Sequence, residues 1–202
     1  MTERLPEDIR SILDARFEAR EKAITESRKV IRSAANAIRA LHRSDWDDAD
    51  QLIEDSRARL ASINDALTGH PELISHAVVT DAAKEYAEAR ITRAVFVGDP
   101  IPGFEDLEMD PIPYLHGLGE AVGEMRRRML DMLRADRLDE AEKLLEQMDA
   151  IVDQLAEVDY PDGMTNGLRR TTDVSRSLVE RSRADLTATV VQERLRRDLG
   201  AG

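Results

Sequence analysis

The sequence contains no cysteine, and this absence excludes disulfide bonds, thiol catalysis and thiolate metal sites. Aromatic residues make up only 3% of the 202 residues, so little material is present for stacking on nucleic-acid bases. There is no Walker loop, no GxGxxG and no HExxH spacing among the four histidines, so phosphate-loop and zinc-protease chemistry have no support. No apolar run has transmembrane length, and the charged start MTERLPEDIR does not resemble a signal peptide. We therefore expect a cytoplasmic protein.

Acidic residues dominate the charge of the chain. A net charge of −12 usually argues against a nucleic-acid partner. However, only four of the 29 basic residues are lysines, and the other 25 are arginines. Local arginine clusters can bind phosphate on an acidic protein. The net charge therefore does not exclude a phosphate-containing ligand.

Helical periodicity runs through nearly the whole chain. Hydrophobic residues are 42% of the sequence and recur at spacings of three and four, and no strand pattern is present. The segment 98–113 holds two of the ten glycines and four of the seven prolines, so it is predicted to be the main loop. We predict one all-α domain of six or seven helices over residues 1–202. The predicted helices span about residues 6–43, 46–67, 72–97, 114–134, 141–158 and 168–199.

Two acidic residues interrupt the third predicted helix, in the stretch KEYAEARI. Glu85 and Glu88 are three residues apart, so both project from one helix face. That face also carries apolar residues such as Ala82, Ala89 and Phe96, so the pattern predicts that it is buried. Buried carboxylates are costly unless they are paired or bind a cation. The position of these two acids therefore needs a chemical reason.

A second acidic pair, Glu120 and Glu124, lies in the next predicted helix, within GLGEAVGEMRRR. Gly117, Gly119 and Gly123 surround this pair, although each glycine weakens a helix by roughly 1 kcal/mol. This cost indicates close approach of another backbone or of a ligand.

Paired acids on two neighbouring helices are what an oxygen-liganded Mg²⁺ or Mn²⁺ site requires. Such metals catalyse hydrolysis of phosphodiesters and pyrophosphates by activating water and offsetting charge. The alternative is that the acids are only solvated surface groups. It applies best to Glu120 and Glu124, which lie away from the Leu/Met stripe of their helix. Pattern alone leaves both interpretations open.

Four strings together resemble the translin/TRAX family, particularly its archaeal members. They are SRKVIRSAANAIRALHR (27–43), KEYAEARI (84–91), YLHGLGEAVGEMRRRMLDML (114–133) and LVERSRADL (178–186), and the similarity covers about residues 15–195. The resemblance implies an all-α translin-like bundle that assembles into a hollow octamer and binds single-stranded nucleic acid inside. It also implies two branches, since TRAX-type chains are Mg²⁺-dependent endoribonucleases and translin-type chains only bind nucleic acid.

The acidic residues match the nuclease branch of this family with one departure. Glu85 and Glu88 match the two glutamates of its EYxEA motif, and Glu124 matches the glutamate of GExxR. Glu120 stands where the family usually has an aspartate, so its carboxylate is one methylene farther from the backbone. The resemblance implies that Glu85, Glu88 and Glu120 are metal ligands and that Glu124 supports the metal shell or orients the attacking water.

Basic residues near these motifs are candidates for contact with RNA. Four arginines of the first helix form one stripe within about 60° of its circumference, and three more, Arg126 to Arg128, follow the second acidic pair after Met125. Ordinary surface arginine is the alternative for any one of them. The candidate RNA-binding residues are Arg28, Arg32, Arg39, His42, Arg43, Arg127 and Arg128.

The favoured function is therefore a metal-dependent endoribonuclease that cleaves single-stranded RNA inside a homo-octamer, with Mg²⁺ or Mn²⁺ as cofactor. A translin-like oligomer that binds single-stranded RNA or DNA without cleaving it is the first alternative. An all-α nucleotide pyrophosphatase is the second, although its second acidic pair is usually ExxD where this chain has ExxxE. A purely structural helical bundle is the third.

Overall fold

The computed structural model describes residues 7–73 and 77–200, and the regular structure within these two ranges is entirely helical. This confirms the all-α prediction, and the described residues form seven α-helices and one turn of 3₁₀ helix at Pro71–Leu73. Ile74 to His76, which the sequence placed in the third helix, lie outside the described residues. The helices are α1 (Glu7–His42), α2 (Trp46–Leu67), α3 (Ala77–Val97), α4 (Pro111–Arg134), α5 (Leu138–Ala156), α6 (Asp162–Thr165) and α7 (Leu168–Gly200).

The chain divides into two compact units, Met1–Arg90 and Ile91–Gly202, and the boundary falls within the continuous helix α3. The first unit contains the α1–α2 hairpin and the first part of α3. The second unit contains the end of α3 and helices α4 to α7. In the part of the chain that the structure describes, no helix is long and apolar enough to cross a membrane.

Small and branched side chains form the core of the hairpin. Ala34, Ile38 and Leu41 of α1, which recur at helical spacing in the sequence, are buried, and α1 packs along α2. Leu13 and Phe17 continue this apolar stripe toward the start of α1, but they are 55% and 62% exposed. The reason is length: α1 has 36 residues and α2 has 22. At about 1.5 Å per residue, the first turns of α1 extend beyond the end of α2.

The α1–α2 turn ends one helix and begins the next. Ser44 and Asp45 directly precede α2, and serine and aspartate are common N-cap residues. However, the Asp45 side chain makes no capping hydrogen bond. Ser44 instead adopts a φ of 58°, and the Asp45 N–H donates to the Ala40 carbonyl at 3.0 Å, which closes the C-terminal end of α1.

A group of ionic side chains connects α1 to α2. The Arg59 guanidinium lies 2.8 Å from both the Glu26 and the Asp55 carboxylates, and the Ser33 hydroxyl donates to Asp55 at 2.7 Å. Hydrogen bonds from Lys29 and Arg59 lower the pKa of Glu26, and hydrogen bonds from Arg59 and Ser33 lower the pKa of Asp55. These contacts stabilise the charged forms of both acids in the folded hairpin.

Substitution of Arg59 with glutamine is expected to lower the free energy of unfolding by about 1 kcal/mol at neutral pH. A carboxylate with a lowered pKa stabilises the fold above its ordinary pKa, and this contribution is lost as the pH falls through its folded-state pKa. The difference between wild type and Arg59→Gln should therefore be constant above about pH 4.5, the ordinary pKa of glutamate, and should shrink below it. Urea unfolding at a series of pH values measures this difference. A matched change at the exposed Arg176 should cost less than about 0.5 kcal/mol at any pH, and a difference for Arg59→Gln that persists unchanged in acid would contradict the account.

Helix α4 begins earlier than the sequence suggested because its first turn contains two prolines. Asp110 is the N-cap, and its carboxylate accepts a hydrogen bond from the Ile112 N–H at 2.8 Å. Pro111 and Pro113 occupy the first turn, where a helix does not need the backbone N–H group that proline lacks. The last residues of the Pro-rich segment therefore belong to α4, and only its earlier residues form a loop.

The second unit is built from α4, α5 and α7, which pack against one another pairwise. Three of the predicted stripe residues of α4, Val122, Met125 and Met129, are fully buried. The predicted close approach at the glycines occurs at Gly119. A Cβ atom there would lie 2.5 Å from Thr171 Cγ2 of α7, and the Gly119 carbonyl accepts a hydrogen bond from Ser175 at 2.9 Å. Glycine is needed at position 119 because α7 packs closely against α4 there.

Candidate functional site

Helix α3 carries the first two candidate residues. Its buried residues lie on all sides, since Tyr86, Ala87 and Ala89 are each 3% exposed or less. Glu88 is only 8% exposed, whereas the side chain of Glu85 is 24% exposed. The prediction that these acids lie on a buried face is therefore confirmed for Glu88 and holds in part for Glu85. The opposite side of α3 is buried as well, because Ala87 on that side is fully buried. The i, i+3 spacing of the acids did not indicate this.

Three carboxylates are grouped in the structure. One oxygen atom from each of Glu85, Glu88 and Glu120 lies within 4.8 Å of the other two. Glu120 comes from α4 and is half-buried. Glu124, one turn later on α4, is also half-buried but is not a member of this group. We call Glu85, Glu88 and Glu120 the acidic cluster.

The donor set of the acidic cluster fits a hard divalent cation. Mg²⁺ and Mn²⁺ take oxygen ligands in octahedral geometry, and Mg²⁺–oxygen distances are about 2.0–2.1 Å. Neighbouring ligand oxygens around such an ion are then about 3 Å apart. The three carboxylate oxygens, within 4.8 Å of one another, lie close to that separation. Three carboxylates without sulfur or imidazole ligands favour Mg²⁺ or Mn²⁺ over zinc.

A buried hydroxyl on α3 adds a second observation. Thr92 follows Glu88 by one helical turn on the same face, is fully buried, and its Oγ1 atom has no hydrogen-bond partner. An unsatisfied buried hydroxyl is rare in native proteins and calls for a water molecule or an ion. The hydration shell of a bound cation is consistent with this requirement.

One cation lies beside the acidic cluster. The Lys84 Nζ atom is 3.4 Å from Glu85 Oε1, and the Lys84 side chain is only 20% exposed. The sequence did not indicate a role for Lys84 in this site. The scarcity of lysine in this arginine-rich chain was the available signal.

The candidate RNA-binding residues of α1 have the exposure that such a role needs. Arg28, Arg32, Arg39 and Arg43 are all exposed, and His42 is half-buried. Arg39 donates to the Asn36 side chain at 2.5 Å, and Arg43 lies 3.7 Å from the Asp48 carboxylate. These contacts are at the surface, where such interactions are weak. The four guanidinium groups are therefore accessible along one side of α1.

The three arginines that follow Glu124 have different environments. Arg126 donates to Ser182 at 2.9 Å and to Asp185 at 2.7 Å, so it connects α4 to α7 and is not an accessible cation. Arg127 is exposed. The Arg128 guanidinium lies 5.2 Å from the centroid of the Phe96 ring, a cation–π distance. Of Arg126, Arg127 and Arg128, only Arg127 is exposed.

Histidine has a structural role in α4. His116 Nδ1 lies 2.9 Å from the Thr171 hydroxyl, and its Nε2 lies 2.9 Å from the Thr165 carbonyl. Both ring nitrogens are therefore used to hold α6 and α7 against α4.

Comparison with known proteins adds related sequences and folds. An uncharacterized protein of Methanocaldococcus jannaschii is 30% identical over 183 residues, which span 89% of this chain and 80% of that relative. The crystal structure of AfC3PO superimposes with a TM-score of 0.84 at 31% identity, covering 92% of this chain and 97% of that one. AfC3PO in complex with duplex RNA gives a TM-score of 0.85 at 30% identity, covering 92% and 96% of the two chains. Apo-NeC3PO shares the fold, with a TM-score of 0.83 at 20% identity over 93% and 99% of the chains. No protein-family model matches the chain.

Proposed function

Because this chain belongs to the translin/TRAX family, we propose that it is a Mg²⁺- or Mn²⁺-dependent endoribonuclease that cleaves single-stranded RNA. The acidic cluster carries this proposal. Three carboxylate oxygens within 4.8 Å of one another, from side chains that are buried or half-buried, form an oxygen-only donor set that suits a divalent cation. AfC3PO, at 30% identity, is solved in complex with duplex RNA, which supports RNA as the ligand.

Each acidic residue has a role in this proposal. Glu85, Glu88 and Glu120 hold the divalent ion, either directly or through water. When bound, such an ion lowers the pKa of a water ligand and offsets the charge that develops on the phosphate. Glu124, one turn beyond Glu120, orients the attacking water or supports the ligands of the metal. Glu120 reaches one methylene farther than the usual aspartate, so it can adjust to the ion by rotation of its side chain.

The arginines bind the RNA backbone in this proposal. Arg28, Arg32 and Arg39 on α1, together with Arg43 directly after it, span about 20 Å, and so they contact several phosphates of one strand. His42 and Arg127 contribute further polar contacts. Arg128 keeps its position over Phe96 and reaches RNA only with the edge of its guanidinium.

A homo-oligomer, with eight chains as in the family, is part of the same proposal. Exposed large apolar side chains support self-association, because a monomer in water does not gain from exposing them. They lie near the start of α1 and the end of α7, and they include Ile12 (52%), Leu13 (55%), Phe17 (62%), Val191 (57%) and Leu195 (57%).

The test is incubation of the purified protein with end-labelled single-stranded RNA in Mg²⁺, in Mn²⁺ and in chelator. We expect internal cleavage with either metal, none with chelator, and recovery when metal is restored. Binding without cleavage in any metal would contradict the nuclease assignment and favour a translin-like binding oligomer. Hydrolysis of free nucleoside triphosphates without RNA cleavage would favour the pyrophosphatase.

A further inference from the structure

Lys84 occupies an unusual position for a lysine. Its ammonium lies 3.4 Å from Glu85 Oε1, and its side chain is 20% exposed, although lysine is among the residue types that are most often fully exposed. Consecutive residues of a helix point about 100° apart, so the two side chains do not face each other by default. The Lys84 side chain nevertheless places its charge next to Glu85, a member of the acidic cluster.

We propose that Lys84 is a further catalytic residue, whose ammonium contacts the scissile phosphate of the RNA. This inference rests on the proposed function. Glu85 is among the residues that would hold the divalent ion, so the Lys84 ammonium lies next to that site and can reach a phosphate bound there. Lysine suits this role because its flexible stem moves a compact charge with three donors over several ångströms.

The charges at the site agree with this role. The three carboxylates carry a charge of −3, and the ion together with Lys84 supplies +3. The phosphodiester then brings one more negative charge, which increases on its non-bridging oxygens as water attacks. Water forms the new P–O bond, the bond to the leaving oxygen breaks, and the proton lost by water passes to solvent or to the leaving oxygen. Lys84 transfers no proton, and its ammonium stabilises the non-bridging oxygen by a charge-assisted hydrogen bond.

A different result is expected if Lys84 only forms an ion pair with Glu85 and does not contact the RNA. In that case, replacing Lys84 with a neutral residue removes one contact of Glu85 and one positive charge beside the metal site, so metal affinity rises and cleavage at saturating metal is unchanged. A phosphate contact predicts equal or tighter metal binding together with slower cleavage. Slower cleavage without weaker metal binding is therefore expected only if Lys84 acts on the RNA.

The experiment compares wild type with Lys84→Met, Lys84→Arg and the control Lys143→Met, which changes an exposed lysine of α5. Mn²⁺ affinity without RNA is measured by electron paramagnetic resonance, and single-turnover cleavage is measured at saturating Mn²⁺. We expect Lys84→Met to bind Mn²⁺ at least as tightly as wild type and to cleave about a hundredfold more slowly. Lys84→Arg should cleave at least tenfold faster than Lys84→Met, and Lys143→Met should cleave at the wild-type rate.

Cleavage by Lys84→Met within threefold of wild type would overturn the inference, and so would a loss of cleavage that is accompanied by weaker Mn²⁺ binding. Its failure is distinct from failure of the proposed function, since the latter is judged by whether wild type cleaves at all. If wild type binds RNA without cleaving it, the phosphate contact is judged by RNA affinity in the presence of Mn²⁺. Lys84→Met should then bind RNA about tenfold more weakly, and equal affinity would overturn the contact.

Discussion

Substitution of Glu88 with glutamine is expected to slow metal-dependent RNA cleavage about a thousandfold, which corresponds to roughly 4 kcal/mol of transition-state stabilisation. Glu88 is the most buried member of the acidic cluster, at 8% exposure, and its oxygen lies within 4.8 Å of those of Glu85 and Glu120. Glutamine keeps the shape of the side chain and removes the charge that a divalent ion needs. The variant should therefore fold normally and bind RNA in chelator as tightly as wild type, because the arginines of α1 are unchanged.

Asp81 provides the matched control for this substitution. It lies on the same helix, about two turns before Glu88, and its side chain is exposed and outside the acidic cluster. Asp81→Asn makes the same change of charge and should cleave within about twofold of wild type. Single-turnover rates and melting temperatures of the three proteins measure the effect. Equal rates for Glu88→Gln and Asp81→Asn would show that the acidic cluster is not the site of the reaction.

A second large effect is expected at Gly119, where alanine should lower the free energy of unfolding by about 2 kcal/mol. Alanine is the better helix former by about 1 kcal/mol, so propensity alone predicts the opposite sign. The steric cost is greater because the new Cβ atom would lie 2.5 Å from Thr171 Cγ2 and 3.3 Å from Leu155 Cδ1. Thr171 cannot rotate away easily, since its hydroxyl is hydrogen-bonded to His116 and its β-branched side chain is stiff in a helix.

Two further variants isolate this clash. Thr171→Ser removes the methyl group but keeps the hydroxyl for His116, so the double variant Gly119→Ala/Thr171→Ser should recover most of the lost stability. Gly123→Ala, one turn later on α4, would place its Cβ atom 3.9 Å from Leu178 Cδ1, an ordinary contact, and should stabilise the protein by about 0.5–1 kcal/mol. Urea unfolding gives all four values. If Gly119→Ala is as stable as Gly123→Ala, then the packing of α7 against α4 is not as tight as the structure indicates.

The helices were predictable from the sequence because their apolar periodicity is long and repeated. The ends were less predictable, since they depend on local chemistry: α4 begins at Pro111 because Asp110 caps it, and α1 ends at a left-handed Ser44. The exposure of Leu13 and Phe17 could not be predicted, because periodicity does not indicate that α1 is longer than its neighbour.

The candidate site was predictable to a similar extent. The i, i+3 spacing placed Glu85 and Glu88 on one face, but local pattern left Glu120 among solvated acids, and only the family resemblance joined it to them. The grouping of the three carboxylates depends on tertiary structure, which periodicity does not report. Lys84 was missed because consecutive helix residues are expected to diverge, and Arg126 was grouped with its neighbours although it is bonded to Ser182 and Asp185.

The most direct test of the central claim, that the acidic cluster is a divalent-metal site, is a Mn²⁺ titration followed by electron paramagnetic resonance. Wild type should bind one Mn²⁺ per chain at this site. Glu88→Gln and Glu120→Gln should each weaken that binding at least tenfold, and Asp81→Asn should leave it unchanged. Mn²⁺ binding by both glutamine variants that equals binding by wild type would contradict the claim.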